Sequence, residues 1–170
     1  GSVVYVILYT LWLKRRNSLN IVIGGLAGSC VVLVGWFAID TQPSVTALLI
    51  ALLLFLWTPA HFWSFAIVHE ESYRVAEIPM LPVRYGKRRT ANFILLHAAF
   101  LFVVSLLLYF TPEMGEVYLI GAFLCSGMFL LSSIQLWRHP QKGIAWRNYK
   151  FSGVYLLGLF LAMLIDVMLI

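Results

Sequence analysis

The chain has 170 residues, 62% of them hydrophobic and 15% aromatic but only 11% charged, with a mean hydropathy of +0.91 and a formal net charge of +5. A soluble domain of this length has no core large enough to hide so much apolar surface, and disorder or nucleic-acid binding needs far more charge than 12 Lys+Arg and 7 Asp+Glu supply. The composition is that of an integral membrane protein, partnered by a lipid bilayer and by no nucleic acid.

The first apolar run, Val3 to Leu13, is about half the length of a membrane span. A lone half-span leaves backbone groups unpaired in lipid, so the chain is expected to be an N-terminally truncated piece of a larger protein. Five longer runs follow, Ile21 to Ile39, Val45 to Val68, Ala91 to Phe110, Val117 to Trp137 and Phe151 to Ile170. Each approaches or exceeds the roughly 20 residues that carry a helix across about 30 Å of hydrocarbon. The expected fold is an all-α, polytopic transmembrane helix bundle, with residues 1–170 a single domain and short loops making neighbouring helices antiparallel. Cys30 and Cys125 lie inside apolar stretches, form no CxxC pattern and are expected to be packing residues.

All twelve Lys and Arg residues fall in three loops: Lys14, Arg15 and Arg16; then Arg74, Arg84, Lys87, Arg88 and Arg89; then Arg138, Lys142, Arg147 and Lys150. The alternate connections, Asp40 to Ser44 and Thr111 to Glu116, carry no positive charge. The positive-inside rule puts the basic loops in the cytoplasm and the C-terminus outside.

In the second run Gly24 and Gly28 stand one helical turn apart, a spacing that permits close helix packing or lines a substrate groove. Asn20, beside the first basic loop, either caps its helix or meets a polar headgroup. The third run contains Trp57-Thr58-Pro59-Ala60-His61-Phe62-Trp63. Trp57, Ala60, His61 and Ser64 share one helical face, Pro59 is expected to kink the helix beside them, and a histidine two turns inside a span is a functional candidate by its cost. His97 lies at a similar depth in the next span, roughly 10 Å below the boundary, so the two imidazoles are expected to be able to share a ligand. Either histidine can instead be hydrogen-bonded to a neighbouring helix.

The longest loop, His69 to Thr90, mixes Glu70, Glu71 and Glu77 with five of the basic residues. Carboxylates hold Mg²⁺ through few protein ligands plus substrate phosphates, and Arg and Lys contact the remaining phosphate oxygens. At the mouth of an apolar bundle such a loop suits a ligand with a diphosphate head and an apolar tail; it also suits a solvated loop that merely obeys the topology rule. Two prolines in Ile78-Pro79-Met80-Leu81-Pro82-Val83 predict a rigid, non-helical passage. Asp166, four positions from the end, is expected at the interface and solvated. Trp36, Trp137, Trp146, Tyr109 and Tyr149 are expected to form interfacial belts.

The order Leu13-Lys14-Arg15, Asn20-Ile21-Val22-Ile23-Gly24-Gly25, Gly35-Trp36, Trp57-Thr58-Pro59 with His61-Phe62-Trp63, then Tyr73 and Pro79-Met80-Leu81-Pro82-Val83 resembles the haem-farnesylating branch of the UbiA prenyltransferase superfamily. The resemblance runs through roughly the first 90 residues; beyond Thr90 only the span pattern agrees. It implies the last six helices, the first one partial, of a nine-helix fold. It also implies transfer of farnesyl from farnesyl diphosphate to a vinyl group of haem B, giving haem O for terminal oxidases in the plasma membrane, with Mg²⁺ as cofactor. By position Glu71, Tyr73 and Arg74 would be catalytic, Glu70 and Glu71 metal-binding, and Lys14, Arg15, Arg84 and Lys87 diphosphate-binding. His61, His97 and Trp57 would meet the haem, and Asn20, Gly24 and Gly28 a substrate groove.

The sequence departs from that pattern at Ser72, where an Asp is usual, at Ala60, and at Ser29-Cys30-Val31-Val32. The superfamily's first Asp-rich motif precedes this stretch, so the 170-residue piece alone is expected to be inactive. Competing readings are another UbiA-type transferase acting on a quinone precursor or lipid alcohol, a haem-binding subunit with His61 and His97 as axial ligands, and a transporter in which Pro59 marks a broken helix.

Overall fold

The structure, a computed structural model, describes residues 20–169, all of whose regular elements are helical. Val3 to Leu13, Lys14 and Arg15 lie outside the described residues, and so does the side chain of Asn20. Helix α1 spans Asn20–Phe37, α2 Val45–Val68, α3 Glu70–Val75, α4 Leu81–Leu107, α5 Glu116–Arg138 and α6 Lys142–Leu169. Among the described residues α2, α4, α5 and α6 are long and apolar enough to cross a membrane, whereas the apolar part of α1, Ile21–Phe37, is shorter. Helix α2 packs on α4 and α6, and α5 closes the square between them; α1 lies against α2. On α4, Phe93, Leu96, Phe100, Val103 and Leu107 form an exposed apolar stripe, a surface that only lipid or further protein can cover.

Each expected span is helical over most of its length, with α1 ending at Phe37 and not Ile39, and the basic ends of two are longer than hydropathy indicates, since α4 begins ten residues before Ala91 and α6 nine before Phe151. Polar side chains are compatible with a helix once it leaves the hydrocarbon, so hydropathy marks the membrane and not the helix end. The non-helical passage is correspondingly confined to Ile78–Met80, because Leu81 and Pro82 open α4, where a proline needs no N–H partner. Gly86 then breaks the helical path with φ 80° and ψ 163°, a conformation that suits glycine, and the membrane-crossing part of α4 starts beyond it.

At the end opposite the basic loops, Asp166 corrects the expectation of a solvated carboxylate. It is 2% exposed and accepts hydrogen bonds from the backbone N–H groups of Gly115, Val117 (3.0 Å) and Tyr118 (3.2 Å), the unpartnered donors at the start of α5. A side chain at Gly115 would crowd this carboxylate, with a Cβ 3.2 Å from Oδ1. Cys125 does pack, its sulfur filling the space that a Cβ on Gly158 would enter, but Cys30 is exposed.

Of the glycine pair of α1, the packing expected at Gly28 is corrected. Gly25 faces Thr58 and the carbonyl of Phe55 on α2, while nothing lies within 4 Å of a Cβ built on Gly28. Close packing therefore runs through Gly25 and buried Ser29, whose hydroxyl donates to Gly25 O at 3.0 Å. Phe55 is the residue whose carbonyl Pro59, lacking an N–H, leaves without its helical donor.

Candidate active site

Trp57, His61, Phe65 and His69 follow one another at i, i+4 spacing and line one face of α2. Antiparallel to it, α6 adds Trp146 and Tyr149. Trp57 stacks on His61 with ring centroids 4.4 Å apart, and Tyr149 lies 4.3 Å from His61 and 5.3 Å from Phe65. Phe65 is 4.2 Å from His69, and Trp146 stacks on Tyr149 at 5.2 Å. The result is an aromatic wall rising from the basic end, about 18 Å long at about 1.5 Å per residue. Tyr149, expected in an interfacial belt, is thus part of the wall. The continuation of the Trp57 and His61 spacing to Phe65 and His69 was the signal available in the sequence; the α6 residues had none.

Polar contacts fix the wall from behind. Trp57 Nε1 donates to the carbonyl of Ser152 (2.8 Å), His61 Nδ1 lies 2.7 Å from Ser152 Oγ, and Ser152 Oγ donates to Tyr149 O (2.6 Å). One turn nearer the basic end, Asn148 Nδ2 donates to Ser64 Oγ (3.0 Å), and Ser133 Oγ donates to Phe129 O (2.9 Å) and lies 3.3 Å from Asn148 Oδ1. All three side chains are fully buried, so these bonds lock α2, α5 and α6 in register where a slip would strand polar atoms.

His97 does not join His61. Its imidazole Nδ1 lies 2.9 Å from Phe93 O and its ring packs edge-on against Trp63 at 5.1 Å. Trp63 is two residues from His61, about 200° around α2, so the helix separates the two imidazoles. The expectation of a shared ligand fails because equal depth does not put residues on facing sides.

Beside the wall's basic end, α3 carries the charged residues. Arg74 Nη2 is 2.8 Å from Glu70 Oε1 and its Nη1 3.2 Å from Glu71 Oε2; Lys87 Nζ, from α4, is 3.4 Å from Glu70 Oε2. The chain reverses after α3 through Glu77 in the left-handed region (φ 54°), with Glu77 N–H donating to Arg74 O and Ile78 N–H to Tyr73 O. That is the Schellman arrangement, with Tyr73 and Ile78 both packed on the core. It brings Lys87 back to Glu70. Partial burial raises the Tyr73 phenol pKa above its ordinary value, so it stays neutral and able to donate a hydrogen bond. Arg84 stands apart, exposed over the Tyr85 ring at 5.6 Å, and Arg88 ties α4 to the carbonyls of Trp137 and Arg138.

Among the described residues no three His, Cys, Asp or Glu side chains gather to hold a metal. Glu70 has both oxygens on cations, while Glu71 is 66% exposed. Such a donor set fits an ion that arrives with phosphate oxygens, as Mg²⁺ does, and not one caged by protein alone. Gly28 is open and exposed and Gly24 half-buried on α1, which meets α2 through Gly25.

The described residues thus form an all-helical bundle of apolar spans with a charged helix at its mouth, the class of a polytopic membrane protein. The sequence model of the UbiA prenyltransferase family matches residues 1–164, and the chain belongs to that family. It is 44% identical over 169 residues to protoheme IX farnesyltransferase of Desulforudis audaxviator (strain MP104C), covering 99% of this chain and 53% of that protein. It is 45% identical over 162 residues to the protein of the same name from Marinobacter nauticus (strain ATCC 700491 / DSM 11845 / VT8), covering 95% and 54%. The chain thus spans about half the length of these curated relatives. A solved structure described as "Structural and mechanistic insights into the biosynthesis of Digeranylgeranylglyceryl phosphate synthase in membranes" superposes with a TM-score of 0.88 at 21% identity, covering 98% of this chain and 59% of that one, a likeness of fold.

Proposed function

We propose that the protein containing these residues transfers a farnesyl group from farnesyl diphosphate to a vinyl group of haem B. The observation that carries this is the aromatic wall with His61 in it, placed beside the paired charges of α3 and Lys87: a flat macrocycle lies edge-to-face across the ring edges of the first, and a diphosphate takes the cations Arg74 and Lys87 of the second. The names of the curated relatives support the same acceptor and donor. The basic end faces the cytoplasm of a plasma-membrane protein, as the distribution of Lys and Arg favours, and the chain forms part of a single transmembrane domain.

Arg74 and Lys87 donate to the diphosphate as negative charge builds on the oxygen of the breaking C–O bond, and Tyr73, neutral, can add a hydrogen bond. Glu71, with Glu70, would hold Mg²⁺, which when bound would supply further neutralisation of the leaving diphosphate. The apolar spans keep water from the allylic cation until the vinyl group's terminal carbon attacks it. The positive charge then rests on the carbon next to the porphyrin, which takes up water and loses a proton. One C–C and one C–O bond form, and diphosphate leaves.

The test uses membranes containing the full-length protein, haem B, farnesyl diphosphate and Mg²⁺, with the extracted haems weighed. A haem heavier by one hydroxyfarnesyl unit, absent when Mg²⁺ is chelated, is the expected product. Unchanged haem with folded protein and intact substrates would overturn haem as the acceptor.

A further inference from the structure

Two hydrogen bonds at Ser152 determine where the proton on His61 lies. The carbonyl oxygen of Tyr149 has no hydrogen to give, yet it stands 2.6 Å from Ser152 Oγ. At that separation two oxygens need a proton between them, and only the serine hydroxyl has one. With its proton committed, Ser152 Oγ has only lone pairs left for His61 Nδ1 at 2.7 Å, so the imidazole donates from Nδ1. In a neutral imidazole the other nitrogen, Nε2, is then the bare one. Trp57 holds the same residue from the other side by donating to its carbonyl, and the rings of Trp57 and Tyr149 flank the imidazole.

We propose that Ser152 is a positioning residue: it fixes His61 in the Nδ1-protonated tautomer, so that Nε2 offers its lone pair to the iron of the tetrapyrrole lying along the aromatic wall. The iron half rests on the acceptor proposed above; the tautomer half stands without it. Among the described residues Nε2 makes no hydrogen bond that would compete for that lone pair. The arrangement parallels the general rule that a metal-binding histidine is oriented by the hydrogen bond its other nitrogen makes. Here the orienting group is a hydroxyl on a helix 91 residues away in sequence.

The experiment labels the histidines of the full-length protein with ¹⁵N in lipid nanodiscs and reads the imidazole nitrogens first without substrate. His61, identified by its loss in His61→Ala, is expected to be protonated at Nδ1. Ser152→Ala should shift the tautomer ratio toward Nε2–H by about fivefold, the effect of one hydrogen bond, and Ser152→Thr should restore it. Ser152→Cys, a near-isostere with a weaker acceptor, keeps the question open to test if the alanine variant misfolds, and should fall between. Haem is then titrated: Ser152→Ala should weaken binding about fivefold or more with loss of the nitrogen-ligand signature in the absorption spectrum, and Ser152→Thr should recover both. An unchanged tautomer in Ser152→Ala and Ser152→Cys overturns the proposal. A shifted tautomer with unaltered haem spectra, in a protein that still makes product, overturns the iron ligand. A wild-type protein that makes no farnesylated haem while the tautomer responds as expected overturns the acceptor instead.

Discussion

Lys87 of α4 and Glu70 of α3 meet across a chain reversal, Nζ 3.4 Å from Oε2, while Arg74 holds the other oxygen of the same carboxylate. The carboxylate keeps two cations in place at the mouth of the bundle, where, under the proposed function, a diphosphate would displace it. Replacing Lys87 with Met should raise KM for farnesyl diphosphate roughly tenfold, the range expected for one charge-assisted hydrogen bond, with Lys87→Arg near wild type. Steady-state kinetics at saturating haem checks this; an unchanged KM would remove Lys87 from the site.

His61→Ala and Trp57→Ala should both lower turnover on haem, by on the order of a hundredfold for His61, because a misplaced acceptor loses near-attack geometry. His97→Ala should leave haem turnover within about threefold, since α2 stands between it and the wall. Product formation by the three variants at equal protein levels gives the comparison, and equal losses at His61 and His97 would restore the paired-histidine reading.

Two backbone substitutions should move stability in opposite directions. Glu77→Gly relieves a left-handed residue at the end of α3 and should stabilise by up to about 1 kcal/mol, whereas Gly86→Ala forces a Cβ into an extended, positive-φ conformation that is essentially glycine's alone and should cost about 1–3 kcal/mol. Nothing lies within 4 Å of a Cβ on Gly86, so its effect would come from conformation and not from collision. Unfolding titrations in mixed micelles distinguish the signs.

Asp166→Ala removes the acceptor shared by three N–H groups and should cost roughly 2 kcal/mol. The loss should appear in the same unfolding titrations, while the KM for farnesyl diphosphate stays unchanged, because Asp166 lies at the end of the bundle away from Glu70.

The spans were legible because membrane thickness fixes their length and lipid excludes charge from their middle. The extra turns of α4 before Ala91 and of α6 before Phe151 were not, because outside hydrocarbon a polar helix and a polar loop have the same composition. His61 and Trp57 stood out through their spacing and through the cost of an imidazole in a span. Ser152 carried no such mark: serines are common in membrane helices, and only the packing of α6 on α2 makes this one a partner of His61. Asp166 was misjudged for the same reason, since its distance from the chain end says nothing about the amides of another helix.

The cap at Asp166 also orders assembly in time. Ribosomal synthesis delivers Gly115, Val117 and Tyr118 to the membrane some fifty positions before their acceptor exists. Until α6 packs on α5, the end of α5 opposite the basic loops has three amides without this acceptor, and lipid offers none in its place. The N-terminal amides of α5 thus acquire their protein acceptor only after translation has passed residue 166.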